Sequence, residues 1–122
     1  MTASLRIIAA IFCVGGIMHF VAPNVYVRIV PPWLPAPMLL VLVSGLAELL
    51  GGIGVLIPAV RVAAGWGLIA LLVAVFPANV QMLQSAHAAG ASRLWQAMLV
   101  LRLPLQPALM YWVWRAAVRQ AA

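Results

Sequence analysis

Four apolar stretches, residues 4–22, 38–57, 62–84 and 94–115, take up most of this chain. Each is close to the length of about 20 residues that a helix needs to cross the hydrocarbon core of a bilayer. In lipid a crossing segment must satisfy its own backbone hydrogen bonds, so helices are expected at all four. Composition points to the same solvent: 67% of the residues are hydrophobic and 7% charged, too little polar surface to keep a domain of 122 residues in water. The breaks are marked by Pro23-Asn24, by Pro31, Pro32, Pro35 and Pro37, by Pro58, and by residues 85–92 with Gly90. The expected fold class is therefore all-α: a four-transmembrane-helix bundle and integral membrane protein, forming a single transmembrane domain over 1–122 with an outer Pro-rich loop at 23–37. No stretch is left over for a soluble domain, and no internal repeat is visible.

Charge serves topology here. All seven basic residues are arginine and stand singly along the chain, which argues against a nucleic-acid surface. With four crossings, Arg6, Arg61, Arg115 and Arg119 fall on one side, and Arg28 and Arg93 with His87 on the other. The arginine excess puts both termini in the cytoplasm. Arg6 followed by Ile7–Met18 has the outline of a signal peptide. However, the sequence after it, His19-Phe20-Val21-Ala22-Pro23, offers no small-x-small cleavage site, so the segment reads as a retained first span. Cys13 has no partner cysteine for a disulfide and reads as a small buried hydrophobe. The loop "PNVYVRIVPPWLPAP" mixes Tyr26, Trp33 and Leu34 with prolines that disfavour a regular helix. It reads either as an interfacial anchor or as a lid over a cavity open to the outer side.

The single acidic residue, Glu48, lies in "LVSGLAELLGGIGVL" among apolar side chains. At 1.5 Å per residue it sits about 15 Å below the outer face, and Arg102 about 12 Å below it. A lone charge at such depth costs at least about 2.5–3.5 kcal/mol, and pairing opposite charges offsets it. A Glu48–Arg102 ion pair is therefore expected. His19, Ser44, Asn79 and Gln81 lie level with the pair or outward of it, and Gln106 lies one turn deeper on the face of Arg102. Pro77, Pro104 and Pro107 free the carbonyls of Val73, Val100 and Leu103, a feature tolerated where backbone lines a polar interior. Ser44, Gly45, Ala47, Gly51, Gly52 and Gly54 make the second helix slim. The expected pocket comprises Glu48, Arg102, His19, Asn79, Gln106 and Ser44, with Trp33 and Tyr26 at its mouth. The same network also reads as a structural device fixing helix register. No catalytic constellation is visible. His19 and His87, with Cys13, are a poor basis for a metal site, and none is assigned.

The segments "GGIMHFVAPNVYVRIVPPWLPAP", "SGLAELLGGIGVLIP", "AVFPANVQM" and "RLPLQPALMYWVW", in this order, resemble the DoxX-like small membrane proteins over residues 15–114. The resemblance implies a four-helix transmembrane bundle in a bacterial inner membrane. It also implies either a redox-linked or an assembly role, since the family takes its name from a subunit of a thiosulfate:quinone oxidoreductase and its distant relatives include receptor-assembly chaperones. This chain lacks the cysteines that thiol chemistry needs.

Three functions follow as expectations. The first is an accessory protein without enzymatic activity, a small subunit or an assembly- or redox-associated partner of a larger membrane system, meeting a membrane-protein partner or a second copy of itself. The second is a quinone- or lipid-binding protein that serves a membrane oxidoreductase and carries no other cofactor. The third, proton-coupled transport through Glu48, requires an oligomer, because no inverted repeat is present.

Overall fold

The computed structural model describes residues 2–28 and 30–119. Helices take in 85% of them and no strand occurs among them, so the chain is all-α. The long helices are α1 (Ala3–Val21), α3 (Pro37–Gly54), α4 (Arg61–Ala88) and α5 (Arg93–Val113); α2 (Pro23–Val27) is a single short turn. A 3₁₀ turn, Pro58–Val60, leads into α4, and a π turn, Trp114–Arg119, continues α5. Three segments are long and apolar enough to cross a membrane: Ala3–Val21, Pro37–Gly54 and Pro58–Ala88. α5 matches them in length, but its apolar run is interrupted by Gln96, Arg102 and Gln106.

Local chemistry sets the helix ends. Thr2 accepts from the Leu5 amide to cap α1, and Ser92 accepts from the Trp95 amide to cap α5. Pro23 and Pro37 start α2 and α3, where a missing N–H costs nothing. α2 corrects the expectation that the prolines keep 23–37 free of helix: Pro23 stands at the start of a turn, where its fixed φ suits a helix. α4 runs about one turn past the third apolar stretch, so His87 is an exposed helical residue rather than a loop one. Both α4 and α5 continue unbroken through Pro77, Pro104 and Pro107.

Ahead of Pro37, Ala36 is left-handed (φ 49°, ψ 59°). An L-residue with a Cβ pays about 1 kcal/mol for that conformation, which glycine does not. Ala36→Gly is expected to raise stability by up to about 1 kcal/mol, visible as a higher thermal midpoint in detergent. A lowered midpoint would argue that this turn is not left-handed.

The long helices are laid side by side in chain order: α1 against α3, α3 against α4, α4 against α5. The π turn brings the end of α5 back to α1. Around that contact lies the apolar core, built from Leu5, Ile8 and Phe12 of α1, Val55 after α3, Leu68 and Leu72 of α4, and Val113 of α5. The Trp112 indole N–H donates to Ser4 Oγ (3.2 Å), and Arg61 Nε donates to the Val55 carbonyl (2.7 Å). This end of the molecule, with the start of α1 and the end of α5, is closed. At the other end the helices enclose a cavity.

Candidate functional site

α1 and α3 approach each other closely, and glycine makes it possible. A Cβ on Gly45 would lie 2.6 Å from His19 Cβ, and one on Gly16 would lie 2.7 Å from the Gly45 carbonyl oxygen. Without side chains at these two positions the helix backbones almost touch. That approach carries His19, on the last turn of α1, up against Glu48 of α3.

The carboxylate does not pair with Arg102. Its ionic neighbour is His19, with Nδ1 3.2 Å from Oε2. The contact is not a hydrogen bond, because Nδ1 also lies 2.7 Å from the Gly15 carbonyl oxygen. A carbonyl only accepts, so Nδ1 carries the proton and spends it there. Glu48 Oε2 is left buried with no hydrogen-bond partner. Gly15 leaves the space for it: a Cβ there would stand 3.0 Å from Glu48 Oε1. The imidazole is held from its other side by Tyr26 of α2, stacked at 4.0 Å between ring centroids and 17° between planes. The aromatic ring and the backbone acceptor thus fix the orientation of His19.

A second polar group joins α4 to α5. Asn79 Nδ2 donates to Gln106 Oε1, and Gln106 Nε2 donates to the Leu72 carbonyl. Both side chains are buried. Pro77 lies inside α4 and cannot donate to the Val73 carbonyl. The backbone acceptor that Gln106 takes is the one a residue earlier.

Both groups face one cavity of about 550 Å³. His19, Ser44, Glu48, Asn79, Arg102 and Gln106 all line it, as does Tyr26, so all six expected pocket residues are brought together. Ser44 contributes little polarity, since its hydroxyl donates to the Val41 carbonyl of its own helix (2.9 Å). Most of the remaining wall is aliphatic, from Ile11 and Phe12 on α1 to Leu105 and Leu109 on α5. Ile11, Leu40, Ala74, Arg102 and Leu105 line the cavity and are exposed at the same time. Arg102 makes no ion pair or hydrogen bond with any described residue.

Trp33, expected at the mouth, is not among the residues of the wall. It is 71% exposed. The Leu34 amide donates to the Pro31 carbonyl (3.0 Å), a turn that points Pro31 and Leu34 inward and Trp33 outward. Pro31 and Leu34 cover the cavity in its place. Neither they nor Gly15 were expected at the site: prolines and leucines in a loop announce no chemistry, and Gly15 matters only through the neighbour it admits. Gln81 bonds Ser85 on the exposed side of α4, and His87 meets Gln96 across the α4–α5 turn (3.1 Å), both away from the cavity wall.

Comparison with curated proteins and with solved structures finds no match. Comparison with protein families finds one, over a stretch that contains every residue of the cavity wall. Over residues 8–117 the chain matches, and so belongs to, the family described as Domain of unknown function (DUF8561).

Proposed function

We propose that this chain is a four-helix integral membrane protein of the DoxX-like kind that holds a lipid-like amphiphile in the cavity between its helices. α5 is the fourth crossing in this reading. Two of the polar residues it carries, Arg102 and Gln106, line the cavity, where intramembrane polar groups are tolerated, and Gln96 lies in its first turns against His87. The closed end, with Arg6, Arg61, Arg115 and Arg119, lies on the cytoplasmic side of a bacterial inner membrane, and the cavity occupies the outer half.

One observation carries the proposal: about 550 Å³ of space, walled mainly by aliphatic side chains, in which a buried carboxylate oxygen finds no hydrogen-bond partner. Small-molecule sites have this character, an apolar enclosure with a few placed polar groups. A scaffold that only packed against another protein would gain nothing from such a space. Side chains that filled it would contribute about 0.8 kcal/mol for each buried methylene. The exposed residues of the wall, Ile11, Leu40, Ala74 and Leu105, are apolar apart from Arg102, which suits a ligand arriving from the bilayer. Quinones and glycerolipids both fit this description.

Native mass spectrometry of the full chain, extracted gently from its own membrane, tests the reading. A retained molecule of lipid or quinone mass is expected at about one per chain. A chain that emerges bare, or carries only a protein partner, favours the accessory-subunit reading instead.

A further inference from the structure

Two side chains of opposite charge line the cavity without pairing, Glu48 and Arg102. Glu48 Oε2 is buried and accepts no hydrogen bond. Several donors on the cavity wall are occupied: the Nδ1 proton of His19 by Gly15, the hydroxyl of Ser44 by Val41, an amide N–H of Gln106 by Leu72. Arg102 lines the same cavity from α5 with no partner among the described residues. Each is a charge the bilayer penalises when it stands alone, and their direct pairing would have been the cheapest remedy. Instead the fold keeps them on different helices, with space between.

Building on the amphiphile reading above, we propose that the ligand's head is an ammonium–phosphate zwitterion, as in an aminophospholipid. The ammonium N–H groups bond to Glu48 Oε2 and the phosphate is bound by the Arg102 guanidinium. The requirements select among bilayer components. Glu48 asks for an N–H donor, and a cationic one makes the stronger bond. Arg102 asks for an oxyanion, which its planar fork matches. A choline head has the phosphate but no N–H. A glycerol head has the phosphate and hydroxyls but no cation. A quinone has neither charge. The apolar wall takes the acyl chains. His19, pinned between Gly15 and Tyr26, is a positioning residue that keeps the carboxylate turned toward the cavity.

The test uses the full chain reconstituted in vesicles containing equal parts of phosphatidylethanolamine, phosphatidylcholine and phosphatidylglycerol with a small fraction of ubiquinone. The chain is then extracted and weighed by native mass spectrometry. Wild type is expected to keep phosphatidylethanolamine about tenfold over phosphatidylcholine, the weight of one charge-assisted hydrogen bond. Glu48→Gln brings the two lipids to parity. Arg102→Gln lowers retention of both phospholipids while leaving the preference for the ethanolamine head. Should Glu48→Gln fail to fold, the wild-type lipid ratio and the exposed Arg102→Gln variant decide the matter. Equal retention of the lipids, or retention of quinone in their place, overturns the zwitterion and leaves the amphiphile reading standing. A wild-type chain that keeps nothing overturns both. Water-soluble phosphoethanolamine added in excess is expected to displace no lipid; displacement would show a site for the free head rather than the lipid.

Discussion

Gly45→Ala unfolds more readily than wild type by about 2 kcal/mol. The new Cβ would lie 2.6 Å from His19 Cβ and 3.2 Å from the Gly16 carbonyl oxygen. Both neighbours sit on or next to backbone, so neither can swing aside as a flexible side chain would. α1 and α3 must part, and the His19–Glu48 contact loosens with them. Gly67→Ala is the control. A Cβ at Gly67 meets nothing within 4 Å, so alanine should add about 0.5–1 kcal/mol of helix stability there. Thermal unfolding of the two variants in one detergent checks both signs at once. If Gly45→Ala melts with wild type, the helices are not in contact at this level.

The second large effect concerns Gln106. Gln106→Leu keeps the volume but strips two partners at once, the Asn79 amide and the Leu72 carbonyl, both in a setting with little water to replace them. A loss of about 2 kcal/mol is expected, near the upper end for polar contacts between membrane helices. Asn79→Leu removes one contact only and should cost about half as much. In the double variant the second change should cost less than it does alone, because the interaction is already gone. Strict additivity in that cycle would mean that Asn79 and Gln106 do not interact. The readout is the midpoint of denaturant-induced unfolding in mixed micelles.

Helices were the legible part of this fold, and partners the illegible part. Apolar runs of bilayer length located α1, α3, α4 and α5 to within about a turn, because period and length are local properties of the chain. The polar residues of the cavity were legible as well: isolated polar side chains in apolar helices have few places to point except inward. Who bonds with whom was not. Depth alone assigned Glu48 to Arg102, since depth counts residues along each helix but ignores the lateral spacing between helices. That spacing is set by Gly16 and Gly45, which draw α1 rather than α5 to the carboxylate. The place of Trp33 outside the wall was illegible for a related reason. An aromatic in an outer loop suggests a mouth, but a hydrogen bond between Leu34 and Pro31 decides which side of the turn faces the cavity.

The π turn at Trp114–Arg119 has a consequence for reading kinship. Ala116, Ala117 and Val118 are buried in succession, although an α-helix turns about 100° per residue and rarely hides three neighbours in a row. A π turn carries one residue more than the α turn it replaces. A relative shorter by one residue between Val113 and Arg119 would continue as plain α-helix, with its tail rotated by about 100°. Its arginine would then leave the face of Trp114, where the guanidinium now lies 5.8 Å from the ring centre. A one-residue gap at this point in an alignment would therefore separate relatives that close this end of the molecule as here from those that close it differently.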